Sequence, residues 1–240
     1  LKQSSIDFKR YQKAVLKADA SIGRFQRNVG NYGSALGKAG LALRNFAGAF
    51  GVLSAGTIAL EIFNLTKEID GLDKALLQVT ETQEGFGQAQ TFIKNLAEEA
   101  GVEINGLQKA YTKFFAAAKT TNLTLEETQD IFRQTAKAGA VLGLSTDDIN
   151  GSMRALEQIL SKGKVQAEEI RGQLGERLPG AFQILAKSMG LTTQELSKQL
   201  ELGNVLSDEV LPGFAKELEK TYGLNTVNRV NTLTAAQNRL

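Results

Sequence analysis

Apolar residues recur at alternating steps of three and four along the first sixty positions of this 240-residue chain. Fifteen of the sixteen positions are apolar, Thr57 being the exception. The repeat, called here the N-terminal seam, consists of Phe8, Tyr11, Val15, Ala18, Ile22, Phe25, Val29, Tyr32, Leu36, Ala39, Leu43, Phe46, Phe50, Leu53, Thr57 and Leu60. Its period of 3.5 residues is typical of coiled coils. We predict either one long helix or two helices that break near residues 30–33, where two glycines weaken a helix. Either form presents an apolar stripe that needs a partner helix.

Residues 45–60 carry no charge and combine apolar side chains with Gly48, Gly51 and Gly56. Small residues let helix backbones approach closely, both in tight bundles and in membranes. A membrane span needs about 20 apolar residues, so this segment of sixteen favours a buried helix interface. A membrane-inserting role is the alternative.

From residue 61 the pattern changes to shorter amphipathic helices, whose ends are marked by capping residues. Thr124 and Thr192 begin capping boxes, Ser145 and Ser207 are N-cap signals, and Pro179 suits a first helical turn. The predicted helices cover residues 86–100, 105–119, 125–142, 146–162, 167–176, 179–189, 193–202 and 208–222. No segment alternates at period 2 for long enough to predict a sheet.

The predicted fold is therefore all-α, with three parts. Residues 1–66 form a coiled-coil-like helical arm, residues 67–223 a multi-helix bundle, and residues 224–240 the start of a second extended helix. Because the sequence opens with Leu1 and stops within a polar periodic stretch, we interpret it as a piece of a longer protein.

Composition removes several kinds of chemistry. The chain has no Cys, His or Trp, which excludes disulfides, thiolate nucleophiles, His-based triads and ordinary zinc sites. The net charge is only +2, but residues 1–60 hold nine Lys or Arg and two acids. We interpret this basic face as the solvated exterior of a coiled coil, and we predict no specific nucleic-acid binding.

Two weak motifs bear on catalysis and phosphate binding. Residues 33–39 lack the spacing and the hydroxyl of a phosphate loop. Glu168, Glu169 and Glu176 could serve carboxylate-based glycoside cleavage, but the spacing from Glu168 to Arg171 favours a surface ion pair. We predict no catalytic residue, no cofactor and no metal site.

A longer motif is specific. Residues 156–181 read LEQILSKGKVQAEEIRGQLGERLPGA, and they closely resemble the central signature of phage tail tape measure proteins. The resemblance extends over about residues 72–222, and it implies a multi-copy helical virion protein that occupies the tail tube lumen and fixes tail length.

The resemblance also implies partners and places. These are tail tube proteins, baseplate or tail-tip proteins, and tail-assembly chaperones, with the host membrane possible on DNA ejection. It implies location in the tail lumen or tail tip, and in the host cytoplasm during assembly. Self-association through the seam is expected to give a trimer, or else a hexamer, because its aromatic residues are bulky.

Within the signature, Gly172, Gly175, Pro179 and Gly180 are expected to serve turns and close backbone approach rather than ligand binding. Two other functions stay open. One is a membrane-active, pore-forming helical module that uses residues 46–60, and the other is a cell-wall hydrolase that uses the three glutamates.

Overall fold

The computed structural model describes the backbone of residues 55–223 and the side chains of residue 64 and of residues 67–223. Within these bounds helices follow one another along the chain, so the all-α prediction is confirmed. An isolated antiparallel bridge joins Lys164 to Leu206. The N-terminal seam up to residue 54 and the tail from residue 224 lie outside the described residues.

The helices are separated by short connections. They are α1 Ala55–Thr80, α2 Gln83–Ala100, α3 Ile104–Ala118, α4 Leu125–Leu142, α5 Thr146–Lys162, a π-helix Glu168–Gln173, α6 Leu174–Arg177, α7 Ala181–Ser188, α8 Thr193–Glu201 and α9 Ser207–Tyr222.

Capping residues explain where three helices begin. Thr124 Oγ1 accepts a hydrogen bond from the backbone N–H of Glu127, whose carboxylate accepts from the Thr124 backbone N–H. Thr192 and Glu195 make the same reciprocal pair before α8. Each box satisfies amides that the first helical turn leaves unpaired. Both predicted capping boxes are confirmed, as is the N-cap at Ser145.

Two predicted helix starts are wrong. The N-cap of α9 is Leu206, while Ser207 is the first helical residue and is fully buried, so its hydroxyl does not cap the helix. Pro179 lies before α7 rather than in its first turn, because Gly180 takes a left-handed conformation with φ of 84° and the helix begins at Ala181. The sequence pattern also gave no sign that α1 continues to Thr80.

From Leu72 onward the described residues form one compact unit. Helix α3 packs most extensively on α5, and α9 packs on α4 and α7. Five aromatic residues meet in the core: Phe92, Tyr111, Phe114, Phe115 and Phe132. The rings of Tyr111 and Phe132 meet edge to face, with centroids 5.1 Å apart. Burial raises the pKa of Tyr111 to about 12.

No helix in the described part of the chain is both long enough and apolar enough to cross a membrane. Most of residues 46–60, on which the membrane-active hypothesis rests, lies outside that part.

Candidate functional site

The signature segment, residues 163–181, connects α5 to α7 and is fastened to the chain that precedes α9. Gly163 ends α5 with φ of 71°, which reverses the chain. The Val165 N–H donates to the Val205 carbonyl at 2.8 Å, and the Ser207 N–H donates to the Gly163 carbonyl at 3.1 Å. These hydrogen bonds hold the segment against a part of the chain forty residues away.

A π-helix follows this attachment. It runs Glu168–Gln173 and continues directly into α6. The Leu174 N–H donates to the Glu169 carbonyl, five residues back. Ile170, Leu174 and Leu178 are all completely buried. π-Helical turns are rare and are often found at functional sites, which draws attention to the polar residues that this one positions.

Glu169 is the polar residue that points inward. Its side chain is 0% exposed and forms an ion pair with Lys162, whose side chain is 45% exposed. The hydrogen bond to Glu169 raises the pKa of the Lys162 ammonium group. The second carboxylate oxygen, Oε2, has no hydrogen-bond partner within the described structure. A buried carboxylate of this kind costs free energy unless its partner stays in place.

The three glutamates considered for hydrolysis do not share a cavity. Glu168 and Glu176 are exposed, and Glu169 is fully buried. In this conformation a polysaccharide cannot reach the Glu169 carboxylate.

Arg171 lies on the outer side of the π-helix, over an aromatic ring. Its guanidinium carbon is 4.1 Å from the centroid of Phe182, the second residue of α7. The same guanidinium donates a hydrogen bond to the Ser197 hydroxyl on α8. The expected pair between Arg171 and Glu168 is not among the ion pairs of the described residues, because stacking on Phe182 directs the guanidinium toward α7 and α8.

These residues line an open cleft of about 530 Å³ between the π-helix, α7 and α8. Its polar and aromatic lining is Arg171, Phe182, Gln183, Thr193, Gln194 and Ser197. The volume falls within the range of ligand-binding clefts. We call this cavity the signature cleft.

The predicted structural glycines have different surroundings. A Cβ at Gly175 would lie 3.0 Å from the Ile170 carbonyl oxygen, and Gly180 has φ of 84°. Both positions therefore favour glycine on geometric grounds. Gly172 has open space around it and no positive φ. Pro179 is exposed, and its carbonyl accepts a hydrogen bond from the Tyr222 hydroxyl at 3.3 Å.

The Arg177 side chain packs against Gly151, where there is no side chain in its way. A Cβ on Gly151 of α5 would lie 2.2 Å from Arg177 Nε. Arg177 also donates to the Gln173 carbonyl at 2.9 Å. Its side chain is therefore positioned by α5 and by the π-helix together.

A second cleft, of about 660 Å³, lies between α2 and α4. Arg133 stands over the Phe92 ring with its guanidinium carbon 5.1 Å from the centroid, and it is 3.8 Å from Asp130. Arg133 therefore has an ion-pair partner, whereas Arg171 has none among the described residues.

Sequence reasoning missed the pairing of Arg171 with Phe182. Their spacing of eleven residues spans a π-helix and a turn, and no periodic pattern links them. The one available signal was an arginine and an aromatic residue on either side of a glycine- and proline-containing reversal. Of the predicted seam residues, Thr57 and Leu60 fall on the described backbone of α1, and the others lie outside the described residues.

Within residues 67–223, no group of acidic side chains is arranged to hold a metal ion. The site consists of a cation, hydroxyls and amides. This chemistry is suited to hydrogen-bonded recognition of an anion.

Comparison with known proteins agrees with the resemblance that the signature indicates. Residues 60–240 match a family model described as tape measure protein. The chain is 34% identical over 208 residues to the probable tape measure protein of Salmonella phage Felix O1 (isolate Felix O1-VT1). The match covers 83% of this chain and 27% of that relative, so the chain spans about a quarter of the relative's length. No solved structure matches the chain.

Proposed function

The chain belongs to the tape measure protein family, and from that premise we propose that it is part of a structural protein that self-associates in the phage tail and sets tail length. The observation that carries the proposal is the family match over residues 60–240, three quarters of the chain. Members of this family are components of the virion tail. We propose that this chain has no catalytic activity of its own.

Extended helices and a compact bundle suit different tasks in a protein that sets tail length. An extended helix adds about 1.5 Å per residue, so its length in residues translates directly into distance. A compact bundle adds little length per residue. We therefore assign length measurement to extended helices such as the proposed N-terminal seam, and attachment to the bundle from Leu72 onward.

The proposed attachment partners are baseplate or tail-tip proteins, tail tube proteins and tail-assembly chaperones. A protein that occupies the lumen must leave before DNA passes, which is why we include a role in DNA delivery. Three copies, or six, would surround the tail axis through the seam.

Tail length provides the test. In the phage or prophage that encodes this chain, deleting residues 12–39 removes four heptads and keeps the seam in register. If the seam lies along the tail, tails should shorten by roughly 42 Å at about 1.5 Å per residue. Electron microscopy of purified tails measures the change.

Duplicating the same four heptads is the matched control, and it should lengthen tails by the same amount. Tails of unchanged length in both variants would contradict a measuring role for the seam. Tails of random length would instead indicate that the seam is needed for assembly.

The membrane-active alternative rests on the uncharged residues 45–60. It predicts that a peptide of this segment releases a dye from lipid vesicles, whereas a helix interface predicts no release. Leakage at low peptide-to-lipid ratios would favour a pore-forming role at ejection.

A further inference from the structure

We infer that the signature cleft binds an extended segment of a partner protein through one Asp or Glu side chain, with Arg171 as the anchoring residue. The inference does not rest on the proposed role in tail length, because it concerns only residues on the surface of the bundle.

Arg171 has an unpaired charge within the described structure. Within the described structure no carboxylate lies within ion-pair distance of its guanidinium, although the side chain is ordered by Phe182 and Ser197. A guanidinium has five N–H donors, and Ser197 accepts from one. The donors that remain match the two oxygens of a carboxylate.

The composition of the cleft favours an anionic ligand. Arg171 is the one charged residue among those that line it, and the other side chains are uncharged polar groups, Phe182 and Ala181. Glu195, at the start of the neighbouring α8, does not line the cleft, and its Oε2 accepts hydrogen bonds from the backbone N–H and the hydroxyl of Thr192, each at 2.8 Å. The cleft therefore offers a positive charge without a competing acid on its walls.

The cleft is also preformed. Gly175 packs close to the Ile170 carbonyl, and Gly180 fixes the turn into α7. A guanidinium held over an aromatic ring and hydrogen-bonded to a hydroxyl loses little further freedom when it binds, which favours affinity. Gln183 and Gln194 can pair with the backbone of an extended peptide on either side of the carboxylate.

Charge distinguishes a protein partner from a nucleic acid. Residues 72–223 carry sixteen Lys or Arg and twenty-one Asp or Glu, so this part of the chain has a net charge of −5. A phosphate backbone, with regularly spaced negative charges, would be repelled. A segment with a single acid among uncharged residues fits the cleft better than a polyacidic one.

The test uses the 240-residue chain and blocked pentapeptides in an NMR titration. Acetyl-Ala-Gly-Asp-Gly-Ala-amide and its Glu counterpart should shift the amide signals of Thr193, Gln194 and Ser197. The counterpart with Asn should bind at least tenfold more weakly, since it keeps the shape and removes the charge.

Three variants complete the test. Arg171→Met should abolish the shifts, and Phe182→Leu, which keeps the cation but removes its platform, should weaken binding several-fold. Arg154→Met removes an exposed arginine of α5 outside the cleft and should bind as the parent chain does. Unchanged backbone spectra without peptide show that each variant is folded.

Equal shifts with the Asp and Asn peptides would overturn the inference, and so would acid-dependent shifts spread over residues far from the cleft. Tighter binding of a short DNA duplex than of the acidic peptides, at the same amides, would also overturn it. Loss of peptide binding would leave the tail-length experiment unaffected, so the two proposals can fail separately.

Discussion

Charged side chains in and beside the signature segment have two different environments. Glu169 and Arg177 are held by neighbouring helices, where they position the π-helix against α5. Arg171 and Glu168 are on the exposed side. Sequence reasoning treated Glu168 and Arg171 as partners because helical spacing allows it, but an i,i+3 rule derived from α-helices does not transfer to a π-helix.

The pair of Lys162 and Glu169 predicts an asymmetric response to mutation. Lys162→Met leaves the buried carboxylate without its partner, whereas Glu169→Gln leaves a neutral amide beside an ammonium group that can turn to solvent. Lys162→Met should therefore lower the midpoint of urea unfolding more than Glu169→Gln does. In the double variant most of the loss caused by Lys162→Met should be recovered. A midpoint for Lys162→Met equal to that of the parent chain would contradict this reading.

Gly151 and Arg177 predict a coupling that a double-mutant cycle can measure. Alanine at Gly151 gains about 1 kcal/mol of helix propensity, but its Cβ would displace the Arg177 side chain. Gly151→Ala should therefore be neutral or destabilising in the parent chain. In an Arg177→Ala background the same change should stabilise by about 1 kcal/mol. Equal effects in both backgrounds, measured by urea unfolding, would show that the two residues do not interact.

At the scale of helices, most of the fold could be predicted from the sequence. Predicted helices at 125–142 and 146–162 coincide with α4 and α5, because Thr124 and Ser145 begin them and Gly143 and Gly163 end them with positive φ. Caps of this kind are local, so a single sequence contains the information.

The parts that could not be predicted depend on distant contacts. Ser207 resembles an N-cap, but its N–H is bonded to Gly163 and its side chain is buried, so Leu206 takes the capping position. The predicted helix at 167–176 is divided into a π-helix and α6, and no residue pattern marks that change. The signature cleft also depends on distant contacts, since it forms where three separate elements meet.

Alanine substitution is predicted to have opposite effects on stability at two helical glycines, one at the crossing of α4 and α5 and one in α2. A Cβ at Gly139 would lie 2.7 Å from Cγ1 of the buried Ile149, whereas a Cβ at Gly87 in α2 would meet nothing within 4 Å. Overpacking destabilises the fold by about 1–3 kcal/mol. The higher helix propensity of alanine stabilises it by about 1 kcal/mol. Gly139→Ala should therefore destabilise by about 1 kcal/mol, and Gly87→Ala should stabilise by a similar amount. Thermal unfolding of the two variants measures the contrast, and a stabilising Gly139→Ala would show that the helices can move apart freely.

For the whole bundle, three glutamates predict how stability depends on pH. The hydrogen bond from Lys187 lowers the pKa of Glu217, and backbone hydrogen bonds from Thr124 and Thr192 lower the pKa values of Glu127 and Glu195 below 4.5. Each carboxylate therefore stabilises the fold above pH 4.5, and this contribution is lost as the pH falls through the folded-state values.

Urea unfolding between pH 7 and pH 3 tests this dependence. The free energy of unfolding should fall below pH 4.5, and replacing all three glutamates with Gln should reduce the slope, because Gln can still complete a capping box without titrating. If the free energy of unfolding of the triple variant depends on pH as steeply as that of the parent chain, other carboxylates cause the loss of stability in acid.

The whole chain is predicted to self-associate through the N-terminal seam. Its aromatic residues are too bulky for a tight two-stranded coiled coil, so we expect three copies, or else six, around a common axis. Burying one aromatic side chain contributes about 2 kcal/mol, more than a surface ion pair. Phe25→Asp combined with Phe46→Asp removes two such contacts from every subunit and places charges in their stead. In analytical ultracentrifugation the parent chain should sediment as an oligomer and the double variant as a monomer. Lys9→Asp with Lys17→Asp changes charge outside the seam and should leave the oligomer intact. A monomeric parent chain, or a double variant that keeps the parent mass, would refute the seam as the means of self-association.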